Sequence, residues 1–200
     1  STMTHSVHIV ARHADSLPDV ERLGKNDPYA QFSLNLADDK SFKPTSVKKN
    51  AGKSVEWNET VILDNYNPAQ HRFLYVDVYD QEALADEVIG FASIPLYQAA
   101  DAPNKSFKGK FQLYDDDNKE KGSISLTISI VESDKVGSFV ANDGAEVQGQ
   151  SSAEEDHKKH IKSQKRKEKA SDAATVAAVG AALFGLKSVL GGGKEANKEA

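Results

Sequence analysis

Ser123-Ile-Ser-Leu-Thr-Ile-Ser-Ile130 alternates without a break. Ile124, Leu126, Ile128 and Ile130 fall on one side and small hydroxyl residues on the other, the period-two signature of a strand with one buried face. Shorter runs of the same kind precede it. Val7, Ile9 and Ala11 alternate with His8, Val10 and Arg12, and Tyr29–Leu36 places Ala30, Phe32, Leu34 and Leu36 together. Phe73–Tyr79 turns Leu74, Val76 and Val78 one way and Phe73, Tyr75, Asp77 and Tyr79 the other. Thr60–Leu63, Val88–Ile94 and Phe111–Tyr114 complete the set. Clusters rich in Gly, Pro, Asn and Asp separate them, such as Leu23–Pro28, Asn65–Pro68 and Asp115–Lys119. Short strands at regular spacing, with a short helix expected only at Leu96–Ala102, predict an all-β fold, an eight-stranded antiparallel β-sandwich.

Composition divides the chain. Residues 1–132 carry 14 Lys/Arg and 20 Asp/Glu, a net of −6, and hold Trp57, all six Tyr and six of the eight Phe. That bulk is enough for one core, so a domain is expected over 5–132. Residues 133–156 are Gly, Ser, Asp, Asn, Gln and Glu with few large apolar groups, and read as a flexible linker. Residues 157–200 form a basic and Ala/Gly-rich tail. His157–Lys169 carries seven Lys/Arg against one Glu, and a basic cluster beside an apolar segment favours anionic membrane. A helix is expected over 172–190, where Val176, Val179, Leu183, Leu186 and Leu190 repeat at heptad spacing. Ala173–Leu186 as a helix spans ~21 Å, short of the ~30 Å hydrocarbon core, so it predicts association or interfacial contact rather than a crossing.

The absence of cysteine excludes disulfides, thiolate nucleophiles and Cys-ligated metals. The net charge of −5 argues against a nucleic-acid partner. No Gly-x-Ser-x-Gly elbow or Gly-rich phosphate loop is present, and no catalytic constellation stands out, so a non-enzyme is expected. Residues 1–30 lack the apolar run of a secretory leader, which predicts a cytoplasmic protein.

Four ordered motifs resemble those of the C2 domain family. Gly24-Lys-Asn-Asp-Pro-Tyr29 is similar to its first loop and second strand, and Val55-Glu-Trp-Asn-Glu59 resembles its P-x-W-N-E segment, with Val in place of Pro. Val76-Asp-Val-Tyr-Asp80, Asp86-Glu-Val-Ile-Gly90 and Ile94-Pro-Leu96 resemble its V-x-V-x-D, D-x-I-G and I-P-L stretch, and Gly122 opens a similar closing strand. The resemblance covers residues 5–132. It implies the permuted (type II) strand order, because the first strand leads directly into the Asp-Pro-Tyr loop.

The resemblance also implies calcium held between two loops at one end of the sandwich. Position by position, the ligands implied are Glu21, Asp27, Asp80, Glu82 and Glu87, with Asp86 beside the last. Calcium takes 6–8 oxygen ligands, mostly carboxylate. Three of the five matched positions carry Glu where Asp is usual, and the longer side chain loses more rotamer freedom when fixed. Leu23 and Leu84 ride on the same loops and are expected to enter the headgroup region. Lys43, Lys48, Lys49 and Lys53 match a lysine-lined face that holds phosphoinositide headgroups in some relatives. The function expected is calcium-dependent binding to anionic phospholipid membranes by a non-catalytic C2 domain. The competing expectation is a calcium-independent protein-interaction scaffold that self-associates through residues 172–190.

Overall fold

The Ile/Leu face of the decisive strand is buried as its alternation predicts: Ile124, Leu126 and Ile128 lie in the core beside Ile9, Phe32, Val76, Phe111 and Trp57. The structure is a computed structural model that describes residues 3–170. The helix expected at 172–190 lies outside the described residues.

The strands are β1 (His5–Asp15), β2 (Pro28–Ser33), β3 (Lys43–Pro44), β4 (Val55–Tyr66), β5 (Phe73–Asp80), β6 (Glu87–Pro95), β7 (Ser106–Tyr114), β8 (Glu120–Glu132) and β9 (Val147–Gln148). A single turn of helix, α1 (Tyr97–Ala100), follows β6, inside the stretch where a short helix is expected. A second helix, α2, runs from 155 to 170. The strand order is β3-β2-β5-β6-β7-β8-β1-β4. β6 and β7 meet at one residue pair, Phe91 with Tyr114, so the ribbon folds into two four-stranded layers, β3-β2-β5-β6 and β7-β8-β1-β4. β1 lies between β8 and β4, the permuted order expected.

Gly122, the third residue of β8, has φ +85°, and a Cβ there would stand 2.6 Å from the Asp15 carbonyl oxygen and 2.7 Å from that of Ser16. Both carbonyls lie at the root of the loop between β1 and β2. Gly122→Ala is expected to destabilise the fold by about 1–3 kcal/mol, as forced backbone conformations do, read as a lower midpoint in urea with unchanged slope.

Residues 133–156, expected as a flexible linker, make ordered contacts with the sandwich. β9 pairs parallel with β7 through Gly109–Val147 and Lys110–Gln148. Ser152 exchanges two backbone hydrogen bonds with Ser93, at 2.8 and 3.0 Å. Arg12 Nη2 lies 2.6 Å from Glu146 Oε2. Gly149 passes so close to Phe111 that a Cβ there would meet the ring at 2.3 Å. The segment is held by hydrogen bonds and close backbone approach rather than apolar burial, and a composition-based reading detects only the latter.

The start of the expected basic tail also packs on the sandwich. α2 packs across the layer that contains β2, β5 and β6, with His157, His160 and Ile161 buried. The two C-terminal pieces therefore cover both outer faces. Ser125, Thr127 and Ser129 lie under the first, and Asp77 and Tyr79 under the second; all are buried although alternation assigns them outward.

The α2 anchor is polar. Asp77, fully buried, accepts hydrogen bonds from His157 Nε2 at 2.6 Å, His160 Nε2 at 3.2 Å and Gln31 Nε2 at 3.1 Å. The other His157 nitrogen, Nδ1, lies 2.9 Å from Ser93 Oγ. His157 meets Phe91 and Tyr75 edge-on, and His160 stacks on Phe42. Burial opposes the Asp77 charge, but His157 and then His160 outweigh it and hold the carboxyl well below the usual carboxylate range. Ser93, His157 and Asp77 form a Ser–His–Asp string, yet all three are fully buried, and the string serves as an anchor.

Candidate cation and membrane site

The loops that follow β1 and β5 are brought side by side by the β2–β5 ladder, which pairs Pro28 with Asp80. The Asp27 amide donates to Asp80 Oδ1 at 2.6 Å, and the Gln81 amide donates to the Asp27 carbonyl at 3.0 Å. Asn26, fully buried, pins the first loop: its Nδ2 donates to the carbonyls of Pro18 (2.8 Å) and Gly52 (3.1 Å), and its Oδ1 accepts from the Val20 amide (3.1 Å). Only a short side chain carrying both donor and acceptor satisfies three backbone groups there.

Glu21, Asp80 and Glu82 present carboxylate oxygens that all lie within 4.8 Å of one another. Asp80 is fully buried, and its Oδ2 has no hydrogen-bond partner. A buried carboxylate oxygen without a donor is costly, and its neighbours supply one only when protonated, the sense in which Glu82 opposes the rise at Asp80. All three acids titrate above their usual range. Burial is the first cause in each case. At Asp80 the Asp27 amide hydrogen bond opposes the rise, while the charges of Asp27 and Asp19 add to it. At Glu82 the charges of Glu21, Asp80 and Glu87 add. Three mutually repelling, partly desolvated carboxylates are the donor set that suits a hard divalent cation.

The other expected ligands are placed differently. Asp27 points both oxygens elsewhere: Oδ1 accepts from the Asn50 amide at 2.6 Å and Oδ2 from Lys49 Nζ at 3.2 Å. The Asn50 hydrogen bond is the main reason that its carboxyl is held below the usual range. Asp86 closes its own loop, accepting from the Glu82 amide at 3.1 Å and from the Tyr29 hydroxyl at 2.5 Å. Burial, then this carboxylate, pushes the Tyr29 phenol up. Glu87 is exposed at the start of β6, opposite Asp80 in the ladder, and lines the cleft between the loops. Asp19, which the motif resemblance passes over, adds negative charge to both Glu21 and Asp80; its place two residues before Glu21 is the signal that was available.

Leu23 is 90% exposed and Leu84 58%. They line the same cleft as Glu21, Glu82 and Glu87, together with Lys165, Glu168 and Lys169 from the end of α2. The four expected lipid-binding lysines have different surroundings. Lys43 donates to the Ile62 carbonyl at 2.7 Å and lies 3.9 Å from Asp64. Lys48 acts on Glu59. Lys49 joins Asp27 and Gln81 at the rim of the cleft, and Lys53 is exposed after the β3–β4 turn. The face of the β2–β5–β6 layer turned away from the core is covered by α2.

A second acidic group, Asp115–Asp117, sits at the β7–β8 turn. Two of its three carboxylates are engaged: Asp115 accepts from the amides of Asp117 and Lys119 and pairs with Lys121, and Asp116 pairs with Lys165. That group serves the turn.

A two-layer sandwich in the permuted order, with an acidic cup between the loops after β1 and β5, is the architecture of a C2 domain. A family model for the C2 domain matches residues 5–113, and the chain belongs to that family. It is similar to "Protein SRC2 homolog" of Arabidopsis thaliana, 29% identical over 140 residues, covering 66% of this chain and 43% of that protein. It is similar to Tricalbin-2 of Saccharomyces cerevisiae, 31% identical over 96 residues, covering 48% of this chain and 8% of that protein. The chain thus spans less than half the length of these two curated relatives. Among solved structures, a C2 domain of plant Extended Synaptotagmin 1 superposes with a TM-score of 0.56 at 22% identity, covering 66% of this chain and 98% of that one.

Proposed function

We propose that this chain is a non-catalytic C2 module that docks on anionic phospholipid membranes through calcium held between the loops after β1 and β5. The single observation that carries this reading is Asp80 Oδ2, buried without a donor and facing the carboxylates of Glu21 and Glu82. A divalent cation at that point satisfies the orphaned oxygen and removes the repulsion among the three acids. Glu21, Asp80 and Glu82 form the inner ligand set, Glu87 stands at the mouth, and Asp27 joins if Lys49 releases it. Asp86 acts through the loop backbone.

Membrane contact follows from the same loops. Leu23 and Leu84 are the large apolar groups at the tip, and moving each from water to the acyl boundary contributes roughly 1.5–3 kcal/mol at full burial. The bound cation neutralises the acids that otherwise repel an anionic surface, so docking through these loops requires calcium. Among the described residues no helix is long and apolar enough to cross a membrane, consistent with attachment from one side. Sedimentation with phosphatidylserine-containing vesicles tests this: calcium is expected to move the protein into the pellet and a chelator to release it. Equal pelleting in both conditions removes the mechanism.

Lys49 is expected to tune the site. Its ammonium occupies Asp27 Oδ2 at 3.2 Å and places a positive charge at the rim of the cup. Lys49→Gln frees that oxygen and removes the charge, and calcium titration calorimetry is expected to give about three- to tenfold tighter binding, the scale of one nearby charge at the protein surface. Unchanged or weaker binding would show that Asp27 stays outside the site.

A further inference from the structure

α2 carries two kinds of cation. Three are committed to partners: Lys158 to Glu155 at 2.9 Å, Lys165 to Asp116 at 3.2 Å and Lys167 to Asp39 at 2.7 Å. On its outer side Lys159, Lys162, Arg166 and Lys169 recur at 3-4-3 spacing, all exposed, which places them in one line along a helix. Lys159 lies 3.9 Å from Asp156, and Glu155 feels the charges of Lys162 and Lys159. Among the described residues, no ion pair within 4 Å involves Lys162, Arg166 or Lys169.

The line spans ~15 Å of helix axis. Lys159 lies at the groove beside Leu34–Ala37 and His71, at the far end of the layer. Lys169 lines the cleft that holds Leu23 and Leu84. The cationic line therefore runs up the sandwich and ends at the loop tip. Its orientation is held by the buried Asp77–His157–His160 anchor, so binding on this face requires no ordering of a flexible segment. The chain as a whole carries −5, so a bare cationic line is not a by-product of overall charge.

We propose that the outer face of α2 is a second membrane-contact surface, for anionic lipid and independent of any bound cation, aligned with the loop tip. It rests on the reading of that tip as membrane-facing. The occupant is a lipid surface because the line continues into exposed Leu23 and Leu84, a charge-then-apolar sequence that matches headgroups above acyl chains.

The test uses the full chain in chelator, with vesicles of phosphatidylcholine alone or mixed with phosphatidylserine. The wild type is expected to bind the mixed vesicles weakly, less as salt is raised, and to leave phosphatidylcholine alone. K162Q/R166Q/K169Q is expected to lose about 100-fold in this affinity, at about fivefold per cation. K105Q/K108Q/K135Q, matched in charge change and placed toward the ends of β7 and β8 away from the loop tip, is expected to bind nearly as wild type. Several results overturn the proposal: no chelator-resistant binding by the wild type, an unaltered affinity in the α2 variant (as for an acidic protein partner), equal losses in both variants, or indifference to salt. The gain on adding calcium is read separately. If that gain is absent while the chelator-resistant binding behaves as expected, the calcium reading fails and this surface stands.

Discussion

Replacing Asp80 by Asn is expected to lower calcium affinity by about two orders of magnitude or more, because it removes the buried charge at the centre of the ligand set. The same change is expected to make the calcium-free protein more stable. Asn retains an oxygen to accept the Asp27 amide hydrogen bond, now 2.6 Å long. It removes the charge that leaves Oδ2 without a donor, an arrangement that costs about 1–3 kcal/mol in typical buried groups. The pH dependence follows from the same groups. Glu21, Asp80 and Glu82 have folded-state values raised above their ordinary ones. Their contribution to stability is full below the ordinary carboxylate value and is lost as pH rises through the raised ones. Without calcium, this cluster therefore favours the folded state more at mildly acid pH than at neutral pH, and Asp80→Asn flattens that trend. Calcium calorimetry and chelator-state urea midpoints across this range check both halves. Calcium binding that survives the substitution would remove Asp80 from the site.

The two-sheet body was legible because its signals are local. The alternation at Ser123–Ile130 states which side of β8 is buried, and Asp27-Pro-Tyr29 states where the first loop ends. What period two does not state is whether the opposite side is also covered. Ser125, Thr127, Ser129 and Asp77 have the chemistry of a solvent face but lie under residues that follow the sandwich. Their partners are remote in sequence and polar, as Asp77 with His157 illustrates, so neither hydropathy nor composition reports them. The candidate site was legible to the level of the loops. Within them, Glu21, Asp80 and Glu82 converge, whereas Asp86 supports a turn and Asp27 is shared with Lys49. Spacing identifies a carboxylate's address, while its direction depends on which backbone amides and hydroxyls compete for it. The lysines at 43, 48 and 49 illustrate the same competition, meeting Asp64, Glu59 and Asp27 respectively.

Replacing Asp77 by Ala is expected to be the most destabilising of these single changes, by about 3–5 kcal/mol, as for loss of one partner in a buried ion pair. His157 and His160 would then face an apolar methyl group, with Nε2 of each deprived of its acceptor, while Ser93 still engages only His157 Nδ1. The damage should centre on α2, since Leu74, Val76 and Val78 on the opposite side of β5 remain in the core. Limited proteolysis is therefore expected to cut within 155–170 before the sandwich, and hydrogen exchange to rise first in α2. The sign of the acid dependence is the reverse of that at Asp80. Asp77 is held below its ordinary value in the folded protein, so its contribution is present above the ordinary carboxylate value and is lost as pH falls through the depressed one. The wild type should thus lose α2 protection on acidification below that range, and Asp77→Ala should show weak protection with little change across it. Unaltered protection of 155–170 in the variant would mean that Ile161 and the aromatic contacts of the two histidines, rather than the charge, hold the helix in place.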